Sequence, residues 1–123
     1  MIVQRQFGVW MDTHHATVVG NESTGPAELR VIAQIKGKET TQNSSEKNQN
    51  NEKQTLLAKF FKEITLHLQN ATLLHITGTG QVQEQFIHYL ANTPQFKYTK
   101  TEESTSNKMN DEKLIAFMST KIS

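Results

Sequence analysis

From Lys38 to Lys53 the chain contains no aliphatic or aromatic residue, only Lys, Glu, Thr, Gln, Asn and Ser, so any core must be assembled from the segments on either side. Such a tract cannot bury enough apolar surface to offset its ordering entropy, and it is predicted to be a flexible loop. Loops of this length inside compact domains are uncommon, and are either functional or simply solvated. The solvated insertion is the plainer reading, because Asn/Gln-rich tracts carry little chemistry. The tract also accounts for much of the low hydrophobic content, 35% of 123 residues. That length suits a single domain, expected to span 1–123 around one core.

Before the tract the pattern is that of strands. Phe7 to Asp12 is apolar at nearly every position, which suits a strand covered on both faces. After the short polar Asp12-Thr13-His14-His15, the β-branched run Ala16 to Gly20 reads as the second arm of a hairpin. Asn21 to Pro26 is rich in turn formers, and a third strand is predicted from Leu29 to Lys36. There Leu29, Val31, Ala33 and Ile35 alternate with Arg30, Ile32, Gln34 and Lys36, so one face should be buried and the other mostly wet.

After the tract the period changes. Leu57, Phe60, Phe61, Ile64 and Leu68 recur at helical spacing, which predicts an amphipathic helix from about Glu52 to Gln69. Ala71 to Thr77 is a short apolar run expected to form a buried strand. Val82, Phe86, Tyr89 and Leu90 mark a second helix, ended by Asn92-Thr93-Pro94. Phe96 to Thr101 is read as a fifth strand. A last helix starts at Asn110 as N-cap, with Asp111 and Glu112 in its first turn and Met109 placed to staple onto Leu114. Its buried stripe continues through Ile115, Met118 and Ile122.

The order is β-β-β-α-β-α-β-α. Later strands joined through helices imply parallel pairing with right-handed crossovers, and hence a mixed five-stranded sheet with helices on its faces. The expected fold is a three-layer α/β domain of ribonuclease-H-like topology.

Charge and composition exclude several functions. Thirteen basic and 12 acidic residues leave a formal charge of +1, so no global field attracts nucleic acid or an anionic membrane. No cysteine is present, which excludes disulfides and thiol chemistry and fits a reducing, cytoplasmic setting. No run approaches the length of a membrane span, and no membrane partner is expected.

A nuclease of this topology needs several carboxylates converging on two cations. Asp12 stands where the first would be, but the fourth strand ends in Thr77-Gly78-Thr79-Gly80, and Glu102 and Glu103 are predicted to follow the fifth strand. A metal-dependent nuclease using Asp12 is thus the distant alternative, and no cofactor is expected. His14 and His15 are adjacent, point apart on an extended chain, and read as turn histidines. His75 lies in an apolar strand and reads as a satisfied, partly buried histidine. Gly78-Thr79-Gly80-Gln81 joins a strand to a helix, a geometry in which backbone N–H groups can bind an anion. It lacks the lysine and Ser/Thr of a P-loop, so a tight turn without ligand is the competing reading. If it binds anything, a phosphate of RNA or a nucleotide is the expectation, with Lys53 among the lysines near the polar tract.

Two segments resemble a known family. Phe60 to Ile64, then Leu73-Leu74-His75-Ile76-Thr77-Gly78-Thr79-Gly80-Gln81-Val82-Gln83-Glu84-Gln85-Phe86, are similar to the middle domain of eukaryotic and archaeal peptide-chain release factors and of the Pelota ribosome-rescue factors. Gly8-Val9-Trp10-Met11-Asp12 and Thr105 to Leu114 also look like small bacterial proteins associated with that superfamily. The resemblance implies the same ribonuclease-H-like fold. In release factors a Gly-Gly-Gln tip stands where this chain has Lys38 to Lys53; no Gly-Gly-Gln occurs here, so no release activity carries over to any residue. Pelota-type proteins also lack it and act by binding ribosomes. The flanking domains of both families have no counterpart, so stop-codon decoding is not expected at this size. The resemblance implies a non-enzymatic, translation-associated binding module whose partner is the ribosome or RNA. The alternative is a structural domain that binds itself, as a homo-oligomer, or another protein.

Overall fold

A computed structural model describes residues 6–12, 14–20, 29–37 and 46–122, with side chains in the last stretch from Leu56 to Lys121. Five strands, β1 (Gln6–Met11), β2 (His15–Gly20), β3 (Arg30–Lys36), β4 (Leu73–Gly78) and β5 (Lys100–Thr105), form one sheet in the order β3-β2-β1-β4-β5. The β1–β2 and β2–β3 pairs are antiparallel, and the β1–β4 and β4–β5 pairs are parallel. Helices α1 (Glu46–Leu66), α2 (Gln81–Ala91) and α3 (Asp111–Ile122) complete the layers. This is the mixed, three-layer α/β arrangement of the ribonuclease-H-like fold, as the order of periodicities predicted.

The alternation of side chains along β1 assigns the two cores. Phe7, Val9 and Met11 point to one face, where they meet Leu74 and Ile76 of β4 and Phe60, Phe61, Ile64 and Phe86 of α1 and α2. Trp10 points to the other, where Val19, Leu114 and Met118 close a smaller cluster under α3. Every β1 residue after Gln6 is buried, which explains its continuous apolar run. Phe61 is the hub of the larger core, its ring centroid 5.2 Å from Phe86 and 5.6 Å from Tyr89. Burying each such side chain contributes about 1.5–3 kcal/mol. Among the described residues no helix is long and apolar enough to cross a membrane.

Three elements depart from the sequence reading. Helix α1 begins at Glu46, so residues 46–53 of the tract expected to be loop are helical; residues 38–45 lie outside the described residues. Once a helix is nucleated by its buried half, each added residue gains a hydrogen bond at little cost, and Glu, Lys and Gln propagate it well without needing burial. Leu56 lies beside Lys36 and Gly37 at the end of β3, so the turns before it project beyond the sheet.

The second departure is β5, which runs Lys100–Thr105 rather than Phe96–Thr101. Pro94–Phe96 instead form a 3₁₀ turn that buries Phe96, and the strand itself is polar, because an edge strand is defined by its ladder to β4 and not by burial. The third is β3. Its pairing with β2 shifts register between Val18 and Val19, which pair with Ala33 and Val31 and leave Ile32 as an extra residue. That bulge divides the predicted single stripe: Ala33 and Ile35 join the larger core, and Leu29 and Val31 join the cluster under α3.

The last helix starts as predicted. The Asn110 side-chain oxygen accepts the Lys113 N–H at 2.8 Å, and Met109 and Leu114 both pack in the α3 cluster.

Candidate functional site

The parallel strands β1, β4 and β5 all finish at one end of the sheet, where helices α2 and α3 begin. In open α/β sheets this carboxyl edge is where ligands bind. Asp12, the Gly78–Gln81 turn and the approach to α3 all lie along it.

Asp12 follows β1 directly, and its carboxylate is used in the hairpin. Oδ1 accepts the N–H of His14 at 2.8 Å and of His15 at 2.7 Å, while the Asp12 N–H donates to the His15 carbonyl at 2.9 Å. This is the local backbone bonding for which aspartate is selected in turns. His15 Nδ1 stands 3.7 Å from the same oxygen; both histidines are exposed, His14 in the turn and His15, read from sequence as a turn residue, as the first residue of β2.

The other acids do not reach Asp12. Glu102 and Glu103 lie within β5, not after it, and pair in register with His75 and Ile76, whereas Met11, next to Asp12, pairs with Gly78, which in turn pairs with Thr105. Glu103 and Glu102 therefore sit two and three rungs back from that edge, roughly 7–10 Å along the strand. Among the described residues no group of three His, Cys, Asp or Glu side chains is placed to hold a metal ion.

The β4–α2 turn is closed from inside. Gly80 precedes the helix with φ 141°, a conformation that favours glycine, and a Cβ at Gly78 would collide with the Met11 carbonyl and with the Gln83 side chain. Gln83 is fully buried. Its Oε1 accepts the Gly80 N–H at 3.2 Å, and its Nε2 donates to Glu103 Oε2 at 3.3 Å and to the Ser104 carbonyl. One donor that an anion would use is thus already satisfied by this chain, while Thr79 and Gln81 remain exposed. Lys53, the fifth residue of the predicted site, is on α1, with its side chain outside the described ones. Sequence reading named the turn but missed Gln83, although a glutamine three residues after Gly80 stands at the position from which a capping box reaches back to the helix start.

On the α3 face, a ladder of polar side chains runs between β4 and β5. His75 Nε2 lies 2.8 Å from Ser104 Oγ, and Thr77 Oγ1 lies 2.8 Å from Ser106 Oγ. His75 is buried beneath Phe117, ring centroids 6.0 Å apart, and its Nδ1 has no hydrogen-bond partner among the described residues. The histidine expected to be satisfied is thus bonded at one nitrogen only. Burial pushes its pKa below the ordinary 6.5; Glu102 pulls it back up and Lys121 adds to the lowering. A proton on Nε2 would leave only a lone pair bare at Nδ1, and the serine hydroxyl would then accept from the ring and would not be activated by it.

Sequence reading gave no hint of a groove on the same face, about 780 Å³ in volume, between the hairpin and the start of α3. Trp10 and Leu114 are among its apolar lining residues, and His15, Lys36, Lys108, Asp111 and Glu112 among its charged or titratable ones. Gln34 Nε2 donates to the Asp111 carboxylate at 3.1 Å, and Trp10 Nε1 donates to the Asn107 carbonyl at 3.2 Å. His75 is not among its lining residues.

Against known proteins, no family model matches the sequence, and no curated protein matches it. Solved structures do match. The Pelota protein of Thermoplasma acidophilum is 18% identical, with a TM-score of 0.61 over 95% of this chain and 32% of that one. Pelota of Archaeoglobus fulgidus is 12% identical, with a TM-score of 0.60 over 95% of this chain and 31% of that one. The archaeal translation termination factor aRF1 is 12% identical, with a TM-score of 0.57 over 95% of this chain and 34% of that one. At these identities the likeness is one of fold. The chain spans about a third of the length of each of these proteins.

Proposed function

We propose that this chain is a translation-associated binding module that acts by contact with the ribosome or its RNA, without chemistry of its own. The observation that carries the reading is the carboxyl edge of the sheet. A nuclease built on this fold would gather acids there, but Asp12 is committed to its hairpin and β4 ends in Gly78 against the buried Gln83. The edge offers the exposed Thr79 and Gln81 to a partner. Likeness of fold to Pelota and to a translation termination factor supports translation as the setting. Contact through Gly78, Thr79, Gly80 and Gln81, with Lys53 on the projecting part of α1, belongs to this proposal.

Sedimentation with ribosomes tests it. The protein should enter the pellet at low salt and be released as salt rises, since a charge-steered contact is screened. Protein that stays wholly in the supernatant at low salt rejects the reading. A parallel incubation with labelled RNA and DNA in Mg²⁺ or Mn²⁺ addresses the alternative: cleavage lost in Asp12→Asn would establish a metal-dependent nuclease. Light scattering serves the remaining one, because a stable dimer indifferent to RNA would favour a structural domain.

A further inference from the structure

We propose that the turn from Lys97 to Lys100 is a contact for single-stranded RNA, in which the Tyr98 ring stacks on a base while Lys97 and Lys100 meet the adjoining phosphates. The proposal rests on the reading above that the partner includes RNA. It adds a site at the opposite end of the sheet from the Gly78–Gly80 turn.

The turn is tied on both sides of the ring. Phe96 is buried, and the N–H groups of Phe96, Lys97 and Thr99 donate to the carbonyls of Thr93, Pro94 and Phe96 at 3.0–3.1 Å. Thr99 Oγ1 donates to the Ala71 carbonyl at 2.7 Å, and the Lys100 N–H to the Thr72 carbonyl at 3.0 Å. Between these anchors Tyr98 is 90% exposed. A held turn thus presents a large aromatic ring to solvent, where it gains nothing from burial.

The charges around it favour an anionic, stacking partner. Lys97 Nζ lies 5.5 Å from the Tyr98 ring centroid, and Lys100 is exposed at the start of β5. No acidic residue occurs from Ile64 to Gln83 or from Gln85 to Thr101; the acids next in sequence are Glu63 in the last turn of α1, Glu84 in the first turn of α2 and Glu102, the third residue of β5. Helices α1 and α2 also end here, and their carbonyl termini oppose a general phosphate trap. Recognition must therefore come chiefly from the ring, with the two lysines giving local charge. A stacking ring flanked by cations suits a single strand, whose bases are free, while a duplex keeps its base faces inside. The sequence concealed the site because Phe96 to Thr101 reads as a strand, in which Tyr98 would be one more sheet residue.

Anisotropy of a short, fluorescein-labelled, mixed-sequence RNA strand tests the site. The wild-type protein should bind it, Tyr98→Ala should weaken binding roughly ten- to a hundred-fold, and Tyr98→Phe, which keeps the π-face, should match the wild type. Lys97→Gln with Lys100→Gln should reduce the slope of log affinity against log salt by about 1.4, the share of two phosphate contacts on a single strand. Tyr98→Ala that binds like the wild type, or a wild type that does not bind the strand, overturns the site. If the wild type still pellets with ribosomes in that case, the module reading stands and only this site falls. A wild type that binds the strand through Tyr98 but never pellets keeps the site and rejects the ribosomal reading.

Discussion

A histidine that is buried with one ring nitrogen bonded and the other bare holds its proton less tightly than it does in the unfolded chain. For His75 the folded pKa lies below 6.5, with burial as the main cause. As pH falls below 6.5 the unfolded chain takes up a proton that the folded one does not. The neutral-histidine contribution to stability is therefore complete at higher pH and is lost as pH drops from 6.5 toward the folded pKa. Urea unfolding between pH 7.5 and 5 should show stability declining by at most about 1.4 kcal/mol per pH unit from this group. His75→Gln should flatten that decline, and an unchanged slope would reject the assignment. At this scale the sequence is legible where the chemistry is local. Asn110 could be named as a cap because its partner, Lys113, is three residues away. The bond from Gly80 to Gln83 is equally local, three residues apart, whereas the burial of Gln83 and its bonds to Ser104 and Glu103 depend on the folded sheet.

Among the elements, α1 is the clearest case of a boundary set by two different forces. From Leu57 onward the apolar stripe packs on the sheet, whereas Glu46 to Thr55 contain no apolar residue and are helical by propagation. Proline should expose the difference. Asn50→Pro is expected to remove helical signal in circular dichroism while changing stability by less than about 0.5 kcal/mol, the range of changes away from packing. Glu63→Pro, within the packed half, should cost about 3 kcal/mol or more. Equal losses from the two would mean that the projecting turns are packed after all. The stripe was readable because 3.6-residue periodicity is a local property. The bulge at Ile32 and the polar β5 were not, since both are defined by their partner strand, β2 in one case and β4 in the other.

At the scale of the molecule, the described residues form one sheet with a core on each face, and β1 contributes to both through alternate residues. Losing either core strips the same central strand, so the two should unfold together. The single tryptophan, Trp10, lies in the smaller core under α3, and most helical signal comes from the other face. Urea transitions followed by Trp10 fluorescence and by far-ultraviolet circular dichroism should therefore coincide; an earlier fluorescence transition would mean that α3 detaches first. By itself the sequence determined the number and order of the strands and α-helices, the mixed sheet, the buried stripe of α1 and the start of α3; the end of the predicted α3 stripe, Ile122, has its side chain outside the described ones. Each follows from periodicity, turn residues or a cap contained within a short stretch of chain. Tertiary structure alone decided which face Val31 joins, where β5 begins, that Gln83 is tied to β5, that Asp12 stands apart from Glu102 and Glu103, and that Tyr98 faces solvent. All of these depend on which distant backbone lies alongside, and strand pairing across the fold is set by the packing of the whole chain.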